Sequence, residues 1–156
     1  MDIRKALYTD RDTLSQLHIA SIKRLCCHHY TREQLEVWSS VLTPSIYDQA
    51  LKEKVFLVAV DSQQALLGLG ILDVQNKEIS AIYIHPDAVG KKIGAKLLNE
   101  LEIIAQNNNI EKIIVNSTLN AEGFYKHHNY IEKGSAFHSL PDGTKLKCVK
   151  MYKHLP

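Results

Sequence analysis

Residues 78–101 read EISAIYIHPDAVGKKIGAKLLNEL, and this stretch decides how the chain is organised. Ile79, Ala81, Ile82, Tyr83 and Ile84 form a short apolar run, expected as a buried strand and stopped by His85-Pro86. A loop follows with Gly90, Lys91, Lys92 and Gly94, after which Ile93, Leu97, Leu98, Leu101 and Ala105 recur at helical spacing. A strand, a loop bearing glycine and lysine, and then a helix present free backbone N–H groups to a phosphate. The first turn of a helix has donors without intrahelical acceptors, and the positive end of its dipole lies there.

Outward from this stretch, strands and helices interleave. Ile3 to Leu7 is expected as a first strand, and Thr9-x-x-Asp12 as a capping box. Leu14, Leu17, Ile22 and Leu25 mark a first helix that ends near Cys27. Thr31-x-x-Gln34 is a second capping box, followed by the apolar stripe Leu35, Trp38 and Leu42. Pro44 suits the first turn of a short third helix, with Ile46, Ala50 and Leu51 facing inward. Val55 to Val60 and Leu66 to Val74 read as strands, and Gly68 and Gly70 within the second suggest a bulge or a close backbone approach. Beyond the central helix come a buried strand (Lys112 to Ser117), a short helix through His128 that Asn120 can cap, and a hairpin of Tyr130 to His138 with Lys145 to Tyr152. This order predicts a mixed α/β sheet with helices packed on it.

Composition narrows the function. At 156 residues the chain is most simply one domain, spanning 1–156. The formal net charge of +2 and the scattered lysines give no basic stripe, which argues against a nucleic-acid or anionic-membrane partner. No apolar run approaches the roughly 18 residues of a spanning helix, and residues 1–10 lack the pattern of a signal peptide, so a cytoplasmic location is expected. Cys26, Cys27 and Cys148 make no disulfide framework. The run Cys26-Cys27-His28-His29 looks like a metal cluster, yet adjacent helical residues point in different directions and structural zinc ligands are usually spaced, so no metal is expected.

Two familiar phosphate loops fail on the residues. A Walker loop needs Ser or Thr where Lys92 stands, and the dinucleotide fingerprint needs glycines closer than Gly90 and Gly94. What the segment does resemble is the acyl-CoA loop of the GNAT superfamily of N-acetyltransferases. IYIHPDAVGKKIGAKLL is similar to that family's strand, His-Pro-Asp turn, Gln/Arg-x-x-Gly-x-Gly/Ala loop and helix. NAEGFYKHHNYIEKG resembles its second signature, a capped helix carrying Phe-Tyr before an aromatic that opens the next strand. The resemblance covers roughly Leu66 to Lys133, and the first half of the chain follows only the order of elements. In register, Val89 stands at the Gln/Arg position, Lys92 at the first motif glycine and Gly94 at the second, while Asn129 replaces the glycine before Tyr130.

The resemblance implies the acyl-CoA N-acyltransferase fold: a mixed, mostly antiparallel sheet of six to seven strands, helices on both faces, and splayed central strands. It implies acetyl-CoA as co-substrate and direct acetyl transfer to an amine in a ternary complex. Cofactor contacts are expected from Ile82, Tyr83 and Ile84 along the pantetheine arm, and from Val89, Gly90, Lys91, Lys92, Ile93, Gly94 and Ala95 at the pyrophosphate. Asn116 and Asn120 are expected at the end of the second splayed strand. Tyr125 would protonate the departing thiolate; simple aromatic packing with Phe124 is its competing reading. Glu78, eleven positions before Val89, would be the base; an exposed turn glutamate, with the proton relayed through water, is the competing reading. His28, Tyr30 and Trp38 are expected around the acceptor, a small-molecule or peptide amine. His127 and His128 are expected on the exposed side of their helix. A homodimer is compatible with the family. Lys92 in a glycine's place favours the alternative, a domain that binds or senses acyl-CoA without turnover.

Overall fold

The computed structural model describes residues 1–156. In β2 (Val55–Val60), one strand in from the sheet edge, the apolar run is buried because both faces of the sheet are covered. Leu57 and Ala59 pack toward α4 (Ile93–Asn107), whereas Phe56, Val58 and Val60 pack with Leu14 and Leu17 of α1 (Arg11–Leu25). β3 (Leu66–Asp73) and β4 (Glu78–Ile84) continue the antiparallel meander, and β1 (Asp2–Lys5) lies outside β2. β5 (Lys112–Thr118) joins β4 in parallel, and β7 (Lys145–His154) lies between β5 and the edge strand β6 (Ile131–Ser139). The result is one seven-stranded mixed sheet ordered β1-β2-β3-β4-β5-β7-β6. The remaining helices, α2 (Arg32–Ser40), α3 (Asp48–Glu53) and α5 (Glu122–His127), flank it.

Two local features shape the middle of the sheet. A Cβ on Gly68 would lie 2.9 Å from Ile84 Cδ1 and 3.1 Å from Leu97 Cδ1, so the missing side chain lets α4 sit close on β3. The register of β4 against β3 slips at Ser80: Leu72 faces Ile79 while Ile71 faces Ala81. This bulge changes the parity of the strand. Ile79, Ile82 and Ile84 therefore turn to the α4 face, and Ala81 and Tyr83 to the α1 face.

The Thr31 capping box forms as expected: Gln34 N–H donates to Thr31 Oγ1 at 3.0 Å, and Thr31 N–H to Gln34 Oε1 at 2.9 Å. Three local expectations are corrected. Asp10, not the Thr9/Asp12 pair, closes the first turn by accepting from Leu7 N–H at 2.7 Å, and it also holds Arg4 through both carboxylate oxygens. Pro44–Tyr47 winds as a tight four-residue 3-10 turn before α3, which moves the inward position from Ile46, 47% exposed, to the buried Tyr47. Asn120 caps no helix: a similar tight turn, Leu119–Ala121, precedes α5 and places Ala121 at the cap.

Candidate active site at the fork between β4 and β5

β4 and β5 pair only at their starts, Glu78 with Ile114 and Ile79 with Val115, and then diverge. Beyond this fork the facing edges of Ile82–Ile84 and Asn116–Thr118 have no strand between them. Two cavities meet there, because Tyr83 and Thr118 line both.

The first cavity, about 630 Å³, runs along the α4 N-terminus. Ile82, Tyr83, Ile84, Val89, Gly90, Lys92, Ile93, Gly94, Ala95, Asn120 and Tyr125 all border it. Its loop is built for an anion. The backbone amides from Val89 to Ala95 donate in no turn or loop hydrogen bond, and the last three belong to the unpaired first turn of α4. Gly90 has φ +86° and Lys92 φ +62°, so the chain takes the left-handed conformation at both positions. That explains why glycine suits position 92 and what lysine does there: the constraint is on the backbone, and the Lys92 side chain is exposed. Gly94 is needed for close approach, since a Cβ there would lie 3.2 Å from Phe124 Cε1. A chain of unpaired amides beside an apolar slot fits the pyrophosphate and pantetheine arm of an acyl-CoA.

Tyr125 is 4% exposed and packs edge-on against Phe124 and Tyr130, with ring centroids 5.1 and 5.3 Å away. Its hydroxyl makes no hydrogen bond to the protein and is not sealed from the cavity; His18 Nε2 is the chain's one buried, unpartnered side-chain polar atom. Burial pushes the phenol above its ordinary value, so it stays protonated near neutral pH. Cys26 also borders this cavity. Burial, and then the neighbouring Cys27, push its thiol up to about 12, and its S–H donates to Asn120 Oδ1 at 3.2 Å. A neutral, hydrogen-bonded thiol is a poor nucleophile. His127 and His128 border the cavity as well, with the His128 ring 4.8 Å from Phe124.

The second cavity, about 420 Å³, opens on the α1 face. Tyr30, Trp38 and Glu78 line it. Glu78 is half-buried, with Asn116 Nδ2 at 3.5 Å from its Oε1. Burial raises the Glu78 carboxyl above its ordinary value; Asp73 adds to this, while Lys54 and Lys150 oppose it. Asn116 belongs to this cavity and not to the first, since strand alternation turns it away from the face of Ile113 and Val115. Lys91 and His28 are exposed and border neither cavity. Sequence reasoning missed His18, Phe137, Leu140, Leu146 and Cys148, which close this side. Apart from the buried His18 in the α1 stripe, they come from the β6–β7 hairpin, and only the placement of β7 beside β5 brings that hairpin here.

Comparison with known proteins agrees with this geometry. Residues 26–153 match the family model of the acetyltransferase (GNAT) domain. The chain belongs to the GNAT acetyltransferase family. Its sheet with divergent central strands and helices on both faces is the GNAT acyl-CoA N-acyltransferase fold. A GCN5-related N-acetyltransferase from Rhodopseudomonas palustris superposes on this GNAT chain with a TM-score of 0.92 at 28% identity, covering 99% of this chain and 95% of that one. PaiA N-acetyltransferase from Thermoplasma acidophilum, solved with coenzyme A, gives 0.73 at 23% identity, covering 98% of each chain. A phosphinothricin acetyltransferase from Sinorhizobium meliloti, solved with acetyl-CoA, gives 0.71 at 17% identity, covering 99% and 88%. No curated protein matches the sequence. No helix of this GNAT chain is long and apolar enough to cross a membrane.

Proposed function

We propose that this protein, acting as one domain, moves the acetyl group of acetyl-CoA to a primary amine by direct transfer in a ternary complex. The observation that carries the reading is the fork: one side opens on a cavity bordered by unpaired loop amides, the other on a separate cavity, and Tyr83 and Thr118 are common to both. Such an arrangement lets a thioester and an amine meet from opposite sides of the sheet. The amides from Val89 to Ala95 hold the pyrophosphate, and the free edge of β4 at Ile82–Ile84 pairs with the amide groups of the pantetheine arm.

Transfer forms a C–N bond and breaks the C–S bond. Tyr125 gives its phenolic proton to the departing sulfur, and the proton lost by the amine restores it through solvent. Glu78, whose carboxyl is raised toward the working pH and which lines the amine's cavity, accepts that proton first. The un-ionised Cys26 thiol supports transfer without an acetyl-cysteine. The test is release of free thiol from acetyl-CoA on addition of an amine, with N-acetylated product identified by mass. Thiol release that needs no amine, or none with any amine despite tight acetyl-CoA binding, refutes transfer.

A further inference from the structure

The second cavity has a composition that selects among amines. Its walls are aromatic: the Tyr30 and Trp38 rings lie 5.5 Å apart, Trp38 and Tyr83 6.4 Å apart, and Phe137, 61% exposed, stands at the rim. The buried hydroxyl of Tyr30 is already committed, donating to Lys147 O at 2.6 Å and accepting from Leu119 N–H at 3.1 Å, which fixes its ring as a wall. Charge is sparse and nearly balanced. Glu78 is the only carboxylate in the lining; Lys54, which pairs with Asp73 at 3.5 Å, and Lys147 are the cations. A polycation needs several carboxylates and would meet one, alongside two lysines. At about 420 Å³ the cavity is at the small end of the usual range of roughly 300–1,000 Å³ for small-molecule sites.

We infer that the acceptor is a small primary monoamine carried on an aromatic body, its ring among Tyr30, Trp38, Tyr83 and Phe137 and its single amine directed to Glu78 and the fork. This rests on the transferase reading for turnover, but not for binding. Offset and edge-to-face contacts with these rings, added to the apolar area buried, favour such an amine over an aliphatic monoamine of equal length on the order of tenfold. Polyamines are excluded by charge.

Trp38 is the chain's single tryptophan, so its emission reports on this cavity whether or not turnover occurs. The experiment titrates 2-phenylethylamine, butylamine and spermidine into the full-length protein while following Trp38 emission, and measures thiol release from acetyl-CoA with the same three. The expected result is a saturable change with 2-phenylethylamine at a concentration about tenfold below that for butylamine, no response to spermidine, and the same order in kcat/KM. Trp38→Leu should bring the kcat/KM ratio within about threefold of unity. Because Trp38 is buried and the variant can fail to fold, Phe137→Ala at the exposed rim is the second test; it should raise KM severalfold for 2-phenylethylamine and by a clearly smaller factor for butylamine, and an equal rise for both overturns the inference. Equal responses to the two monoamines, a preference for spermidine, or acetylation only of peptide amino termini overturns the inference while leaving the transferase reading intact. A correct order of Trp38 responses with no thiol release does the opposite: the acceptor class stands and transfer falls.

Discussion

Lys92 separates two effects that a glycine in its place would merge. Its φ of +62° puts an L side chain in the left-handed region, at a cost of roughly 1–2 kcal/mol relative to glycine. Lys92→Gly removes that cost but gives the unfolded chain more freedom, which takes back about 0.5–1 kcal/mol. The balance is a gain between about 0 and 1.5 kcal/mol, or up to roughly 6 °C in Tm at 2–4 °C per kcal/mol for a chain of this size. The exposed ammonium also lies at the mouth of the cleft, where pairing with a phosphate adds about 0.2–1 kcal/mol to acetyl-CoA binding. Lys92→Gly should therefore raise Tm while weakening acetyl-CoA roughly 1.5- to 5-fold by calorimetry. Lys92→Ala keeps the strained backbone and loses only the charge, so it should weaken binding equally without the gain in Tm. Tighter acetyl-CoA binding by Lys92→Gly would show that the side chain obstructs the phosphates. A loss of Tm in that variant would show that position 92 does not need a left-handed residue.

Three further perturbations bear on the chemistry and on His18. Tyr125→Phe deletes a hydroxyl with no protein partner, so stability should change by less than about 0.5 kcal/mol, whereas kcat should fall about 10²-fold or more with acetyl-CoA affinity retained; full kcat removes Tyr125 as the acid. Folding raises the Glu78 pKa, so the folded state holds that proton more tightly than the unfolded chain, and this contribution to stability is lost as pH rises through the folded value. Glu78→Gln should then melt higher than wild type at pH 8 but not at pH 4, and should lose the acid limb of the kcat/KM profile; an unchanged profile assigns the base to solvent. Burial lowers His18 to about 3, so the folded state resists a proton that the unfolded chain accepts near 6.5. Stability should fall by about 1.4 kcal/mol per pH unit between 6.5 and 3 from this group alone, and His18→Gln should flatten that part of a denaturation series. An equal acid sensitivity in the variant would place the loss elsewhere.

What is legible in the sequence is what local chemistry dictates. The strand, loop and helix from Glu78 to Asn107, the Thr31 capping box and the both-faces-buried β2 follow from periodicity, turn residues and caps. Gly68 and Gly70 are readable as a close approach, and α4 supplies the partner through Leu97 and Leu101. The bulge at Ser80 is not readable, because it exists only in the register between β3 and β4 and no special residue marks it. Yet that bulge sets which face each residue of β4 serves. The same limit applies to the second cavity. Tyr30 and Trp38 are within reach as aromatic residues beside the first helix, but the hairpin wall from Phe137 to Cys148 depends on β7 crossing to lie against β5. Asn116 is expected at the right strand end but on the wrong side of the sheet, since a one-residue difference in strand position exchanges faces.

The decisive measurement is a crystal structure of the protein with acetyl-CoA. Transfer at the fork requires the pyrophosphate against the amides of Gly90 to Ala95, the pantetheine arm along Ile82–Ile84 between the divergent strands, and the sulfur within hydrogen-bonding reach of the Tyr125 hydroxyl. Acetyl-CoA lying elsewhere, or lying in the cleft with its sulfur directed away from Tyr125 and from the fork, would be incompatible with it.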